Sequence, residues 1–262
     1  MLFPSATERY GYLAGSDARR ASDLNAAFAD PTIDGILLSR GGYGMARILP
    51  LLDWEMISKN PKFVAGYSDA TALLGALNRI CSLVAYHMPM PTTELYKGVD
   101  DYTMEYVRAM YFGRYPAELK NPEGVPFETL AGGCARGELC GGNLSLIAAS
   151  IGTPFEIDTA GKILFIEEVH EEPYRVDGML TQLRNAGKLA DCAGILLGAF
   201  TDCAPEDAEK SLTLQQVFSD LLVPSGKPIL AGLACGHCLP TMSLPMGAMA
   251  EFDADAQTVR LL

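Results

Sequence analysis

The sequence predicts an α/β protein built on parallel sheet. Three observations carry this. Short apolar runs, at residues 33–38, 63–65, 83–86, 163–166 and 194–197, alternate with stretches of helical periodicity. Several of these runs end in glycine, as at Gly41-Gly42-Tyr43-Gly44 and Gly66, the punctuation of strand-to-helix turns. The 262 residues are 49% hydrophobic, enough to fill the core of one large or two modest domains.

Taken in order, Ser16 caps a helix over residues 17–28, with Ala21, Leu24, Ala27 and Phe28 on one face. Residues 33–38 form a strand ending at Ser39-Arg40-Gly41-Gly42-Tyr43-Gly44. Glycine there lets a ligand approach the backbone, and a plain tight turn would use the same residues. Helical character resumes over 45–49, limited by Pro50. A strand over 61–66 then breaks at Gly66 and leads into a helix over 69–79; a strand over 83–86 runs into His87-Met88-Pro89-Met90, and a helix over 101–112 closes the unit. Three prolines without periodicity over 116–126 mark a boundary between domains at 1–115 and 127–262. Beyond it, Gly141-Gly142-Asn143 opens a helix and 163–166 is a buried strand with Glu167-Glu168 at its end. A helix near 177–185, a strand at 194–197, a helix over 212–222 and a strand over 228–233 lead to Cys235-Gly236-His237, and 248–261 pairs as terminal strands.

Ser68 sits where the second strand turns into its helix. A serine on such an elbow presents its hydroxyl beside the free N–H groups of a helix start, which suits an acyl-transfer nucleophile. Helix capping by Ser68 or Asp69 is the plainer alternative, and Gly66-Tyr67-Ser68-Asp69-Ala70 lacks the last glycine of G-x-S-x-G. In parallel sheets ligands bind outside the carboxyl ends of strands, where Arg40-Gly41-Gly42, Ser68 and His87 all fall. The serine needs a base, and the chain has three histidines. His170 lies in a charged run, His87 reads equally as a half-buried core residue, and His237, in a glycine-flanked bend after a strand, is best placed. Glu167 and Glu168 point to opposite sides if the strand continues through them, and the pattern alone does not choose between them.

A formal net charge of −12 disfavours nucleic acid and anionic membrane as partners and fits a small neutral or zwitterionic substrate. The seven cysteines are scattered, as expected of reduced thiols. Cys235-Gly236-His237-Cys238 has no second pair at ligand spacing, so neither metal nor redox chemistry is expected there. With no apolar run of ~18 residues and no signal-like start, a cytoplasmic location is expected.

Several short pieces, in this order, carry a resemblance: 11–17, Arg40-Gly41-Gly42-Tyr43-Gly44, Asn60-Pro61-Lys62, Gly66-Tyr67-Ser68-Asp69, Gly141-Gly142-Asn143-Leu144, Ile166-Glu167-Glu168, Pro173-Tyr174-Arg175 and Gly236-His237. With them the chain resembles the LD-carboxypeptidase family of serine peptidases, which includes murein tetrapeptide carboxypeptidases and microcin C self-immunity proteins. The resemblance implies an N-terminal Rossmann-like parallel sheet domain and a smaller C-terminal α/β domain with a β-rich end. It also implies a strand and helix ahead of residue 11, after which this sequence is expected to begin, and glycine at a methionine of His87-Met88-Pro89-Met90; a sheet edge left open by a missing first strand leads us to expect a homodimer. By the same resemblance the nucleophile falls on Ser68, the acid on Glu167 and the base on His237, with a small peptide as substrate and no cofactor or metal. Backbone N–H groups of Gly42 and Asp69 are the candidates for an oxyanion hole. The implied activity is removal of a terminal D-amino acid from an L-configured centre of a murein tetrapeptide in cell-wall recycling. The alternatives are an amidase that inactivates a peptide-nucleotide antibiotic and a catalytically silent binding protein.

Overall fold

Ser16 accepts a hydrogen bond from the Arg19 N–H at 3.2 Å and opens α1 (Asp17–Ala29), whose Ala21, Leu24, Ala27 and Phe28 are buried on the face the spacing predicts. The structure, a computed structural model, describes residues 1–262. After α1 come β1 (Gly35–Leu37), α2 (Met45–Ile48), α3 (Trp54–Lys59), β2 (Phe63–Gly66), α4 (Thr71–Cys81), β3 (Ala85–His87) and α5 (Asp101–Tyr111). Strands β1, β2 and β3 pair in parallel in that order, since helical crossovers return the chain to the same end of the sheet each time. Phe28, Ile57, Leu73, Leu74 and Leu77 pack with Val64 and Ala85 on the sheet.

The rest of the chain supplies β4 (Glu118–Leu119), β5 (Glu128–Ala131), β6 (Cys134–Asn143), α6 (Leu144–Ser150), β7 (Ile163–Val169), α7 (Pro173–Asn185), α8 (Lys188–Asp191), β8 (Gly194–Thr201), α9 (Leu214–Leu221), β9 (Ile229–Ala231), β10 (Leu244–Met246), β11 (Met249–Asp253) and β12 (Thr258–Leu261). All but β10 form one sheet in the order β4-β12-β11-β6-β7-β8-β9-β5, parallel from β6 to β9 and antiparallel at both margins. Strand β7 reads as a continuous apolar run because both its faces are covered. Ile163 and Phe165 join one core cluster, while Leu164 and Ile166 join another beneath α6, α7 and α9.

Two features close the seam between the sheets. Strand β10 leaves the large sheet and pairs antiparallel with β3, placing Leu244 opposite His87. One core cluster then spans both, with Ala65, Met88, Tyr106 and Met110 among Leu139, Phe165, Leu230 and Leu244.

The structure departs from the sequence reading in several places. The sheet of the C-terminal part, expected as the smaller, has eight strands, while the other sheet has four, one of them β10 from the C-terminal part, because antiparallel strands extend the larger sheet on both sides. The helix expected from the Gly141-Gly142-Asn143 stretch begins at Leu144 with Asn143 as its N-cap, and Gly141 and Gly142 themselves close β6. A side chain at Gly141 would run into the Phe165 backbone and one at Gly142 into Thr71, so these glycines let β6 lie against its neighbours before Asn143 caps α6. Strand β7 runs on to Val169, so Glu167 and Glu168 lie within it. The proline-containing segment 116–126 includes β4, which joins the larger sheet through β12.

Candidate active site

Strand β2 ends at Gly66, and the chain passes through Tyr67 into a single 3₁₀ turn, Ser68–Ala70, before α4 begins. Ser68 has φ of +63°, a left-handed conformation that costs a side-chain-bearing residue about 1–2 kcal/mol. The turn leaves Ser68 partly exposed while Tyr67, Asp69 and Ala70 are buried. Neither Ser68 nor Asp69 caps α4, whose N-cap position is Ala70 without a side-chain bond. The Asp69 carboxylate instead reaches across to the glycine loop, accepting from the Met45 N–H at 2.8 Å where α2 starts. Burial pushes the Asp69 carboxyl above the usual carboxylate range, opposed by the N–H groups of Met45 and Gly44. That loop passes so near the serine that a Cβ on Gly41 would lie 2.9 Å from both Cβ and Oγ of Ser68, while Gly42 has φ of +121°. The sequence-predicted Ser68, Asp69 and Gly42 thus share one corner of the molecule, and Ser68 Oγ makes no hydrogen bond of its own there.

Across the seam, β7 carries two buried carboxylates in succession, and the strand alternation sends them to opposite faces. Glu168 accepts from four donors: Asn143 Nδ2 at 2.8 Å, Val169 N–H at 2.8 Å, Ser145 N–H at 2.8 Å and Ser145 Oγ at 2.7 Å. It ties β7 to the start of α6. Glu167 faces the bend after β9, where its Oε2 accepts from His237 Nδ1 at 2.6 Å and from the His237 backbone N–H at 3.2 Å. The Glu167 side chain is wholly buried and that of His237 is 17% exposed. With Nδ1 donating to Glu167, Nε2 is the ring nitrogen left to act as a base. Gly236 makes this approach possible, since a Cβ there would stand 2.6 Å from Glu167 Oε2.

Tyr67 links the two sides. Its ring centroid lies 4.7 Å from that of His237 at a tilt of 53°, so the residue before Ser68 forms a wall for the imidazole. Tyr67 is itself held, donating from its hydroxyl to Glu94 Oε1 at 2.7 Å, while Glu94 Oε2 accepts from the Met90 N–H at 2.9 Å and Thr93 Oγ1 at 2.6 Å. Sequence reasoning missed the roles of Tyr67 and Glu94 and placed Gly41 only at the ligand-binding end of its strand, not against Ser68. Only Gly41 had a local signal, its place in the Gly-rich turn, and Glu94 lies in a stretch without periodicity. Of the other histidines, His170 is exposed and faces Asp202 at 3.6 Å, as its charged run suggests. His87 is buried rather than half-buried, because β10 covers the strand it ends. Cys235 and Cys238 are free thiols that donate to the carbonyls of Met242 and Pro240, and burial pushes both thiols up.

The structure thus joins Glu167 to His237 by a hydrogen bond and sets Tyr67, the residue before Ser68, against the His237 ring, while Ser68 Oγ itself makes no hydrogen bond to His237. The chain belongs to the LD-carboxypeptidase family: residues 2–88 match its N-terminal domain and residues 136–252 its C-terminal domain. It is 44% identical over 252 residues to a probable murein peptide carboxypeptidase of Bacillus subtilis (95% of this chain, 78% of the relative). To the murein tetrapeptide carboxypeptidase of Pseudomonas aeruginosa it is 32% identical over 252 residues (94% of this chain, 81% of the relative). Among solved structures, the muramoyltetrapeptide carboxypeptidase of Oxalobacter formigenes superposes with a TM-score of 0.84 at 29% identity, covering 97% of this chain and 86% of that one. No helix of the structure is long and apolar enough to cross a membrane.

Proposed function

We propose that this chain is a carboxypeptidase that removes the terminal D-amino acid from an L-configured centre of a murein tetrapeptide, a step in cell-wall peptide recycling. The names of its relatives support the substrate class. One observation of the site supports the chemistry above all: the 2.6 Å contact between Glu167 and His237 Nδ1, with the ring set against the residue that precedes Ser68.

In this reading the reaction takes place at the seam between residues 1–115 and 127–262, which 116–126 connects. His237 Nε2 takes the proton from Ser68 Oγ as the oxygen attacks the scissile carbonyl carbon. Glu167 stays ionised, orients the imidazole and stabilises the imidazolium that forms. The oxyanion of the tetrahedral intermediate is held by the backbone N–H groups of Asp69 and Gly42. His237 then gives its proton to the departing amine, and a water molecule repeats the sequence to release the acyl group from Ser68. The left-handed turn at Ser68 carries the strain that exposes the nucleophile.

Incubating the purified protein with a murein tetrapeptide and following the products by mass spectrometry tests this. Loss of the terminal residue is expected, together with stoichiometric labelling of Ser68 by a serine-directed phosphonate. Cleavage of an aminoacyl-nucleotide analogue with no action on the tetrapeptide would move the substrate to the peptide-nucleotide class, and a protein that neither cleaves nor takes the label would be a binding protein.

A further inference from the structure

Strand β3 ends in His87, which is 2% exposed and lies between Gly66 of β2 and Leu244 of β10. Its ring packs edge-on against Tyr67, with centroids 5.5 Å apart, and against Phe165, with centroids 5.3 Å apart. Tyr67 immediately precedes Ser68, and Phe165 lies on the same face of β7 as Glu167, two residues before it. His87 therefore stands behind the catalytic groups, in contact with the elements that carry both.

Three polar atoms in this region have no partner in the protein: Nδ1 and Nε2 of His87, and Oε1 of Glu167. Two of them are complementary, because a neutral imidazole always carries one N–H donor and Oε1 is an acceptor. A cavity of about 10 Å³ opens beside the His87 ring, lined by Tyr67, His87, Glu94, Gly236, Cys238 and Thr241, and Glu167 reaches it only from behind Gly236. That is close to the smallest space that holds a single water molecule. Gly236 in its wall is the residue against which the Glu167 carboxylate packs.

We propose that His87 is a positioning residue for the catalytic pair: one of its ring N–H groups, through a single water molecule in this cavity, donates to Glu167 Oε1 and leaves Oε2 to accept from His237. The inference rests on the reading of Glu167 and His237 as catalytic acid and base. The titratable groups facing His87 are Glu167 from β7, His237 and Cys238 from the bend after β9, Tyr67 from the serine turn and Glu94, whose carboxylate is already taken by Tyr67, Met90 and Thr93. Burial holds the His87 imidazole down to about 4, with Glu167 pulling it upward and His237 pushing it down. It is neutral at working pH, so it donates a hydrogen bond without setting a second cation beside His237.

Without that donor, Glu167 Oε2 accepts more strongly from His237 Nδ1. A stronger acceptor holds the protonated imidazole, so the pair reaches its active form, with a neutral imidazole, at higher pH. The test compares H87F, which keeps a packed ring and loses the donor, with H87Q, which keeps an N–H. For H87F the acid limb of kcat/KM should move up by about half a unit to one unit, the worth of one hydrogen bond. Its kcat should fall roughly 10-fold with KM unchanged, because His87 does not touch substrate. H87Q should restore most of both. A folded H87F with the parent's kcat and acid limb, or with a raised KM alone, overturns the proposal. Should H87F not fold, ¹⁵N shifts of the histidines in the parent protein decide: His87 must stay neutral with one bonded N–H from about pH 5 to 8, and an imidazolium there overturns it. H237A and E167Q separate this from the reading beneath it. If they retain turnover the catalytic pair itself is wrong, and if they lose it while H87F is silent only the role of His87 fails.

Discussion

On one face of β7, Glu168 is surrounded by four hydrogen-bond donors and locks the strand to the start of α6; on the other, Glu167 has a histidine on one oxygen and no protein partner on the second. The two carboxylates are adjacent in sequence and both buried, so burial does not distinguish them. Satisfaction does. A fully bonded buried carboxylate is a fastening whose loss is felt as stability. One that spends its charge on a single imidazole at a seam between sheets has its effect on that imidazole.

The largest test of this contrast lies across the seam. Ser68→Ala and His237→Ala should each lower kcat by roughly 10⁴ to 10⁶ and leave the fold intact, as measured by steady-state hydrolysis and circular dichroism. A folded Ser68→Ala variant with near-parent turnover would remove the nucleophile from the scheme. Glu167→Gln should follow, with a loss of about 10⁴ in kcat and little change in melting temperature.

Glu168→Gln should behave in the opposite way. Its amide must turn an N–H₂ toward donors on one side or the other, costing about 2–3 kcal/mol of stability in urea unfolding with little change in turnover per folded molecule. If Glu168→Gln were the variant that lost turnover and Glu167→Gln the one that lost stability, the two faces would have to exchange roles. Gly41→Ala comes next: its methyl group would press on Ser68 Oγ, and a displacement of about 1 Å at a nucleophile costs on the order of 10² in kcat. Normal turnover in that variant would mean that the glycine loop yields.

A further effect concerns pH and stability. His87 has its folded-state pKa lowered to about 4 from an ordinary 6.5, so the unfolded chain binds the proton first as pH falls. Its contribution is complete above pH ~6.5 and is lost between there and pH ~4, up to about 3 kcal/mol. Carboxylates titrate in the same window, so the quantity to measure is the difference between the parent and H87F in urea midpoint against pH. The variant should lose less stability on acidification, and parallel curves would contradict this.

Much of the fold was legible in local sequence. The Ser16 cap and one-sided spacing located α1, continuous apolar runs located the cores of β7 and β8, and glycine breaks located the turns after β1 and β2, because propensity, capping and periodicity act over a few residues. The serine on its elbow was visible for the same reason. Strands β6 and β10 were not: one is rich in glycine and polar residues and the other is three residues long, and both are stabilised by register with strands distant in sequence rather than by their own composition. The site divides in the same way. Alternation along β7 required Glu167 and Glu168 to face apart, and the family resemblance pointed to Glu167. Which face would meet an imidazole depended on a contact with a residue 70 positions later. Tyr67 against His237, Glu94 holding Tyr67, and His87 behind Glu167 are likewise products of the seam. The sequence alone determined which residue types stood at the ends of the strands. Only the tertiary structure decided which of them meet, because that depends on how two sheets share one core, and on burial, where each polar atom must find a partner or go without.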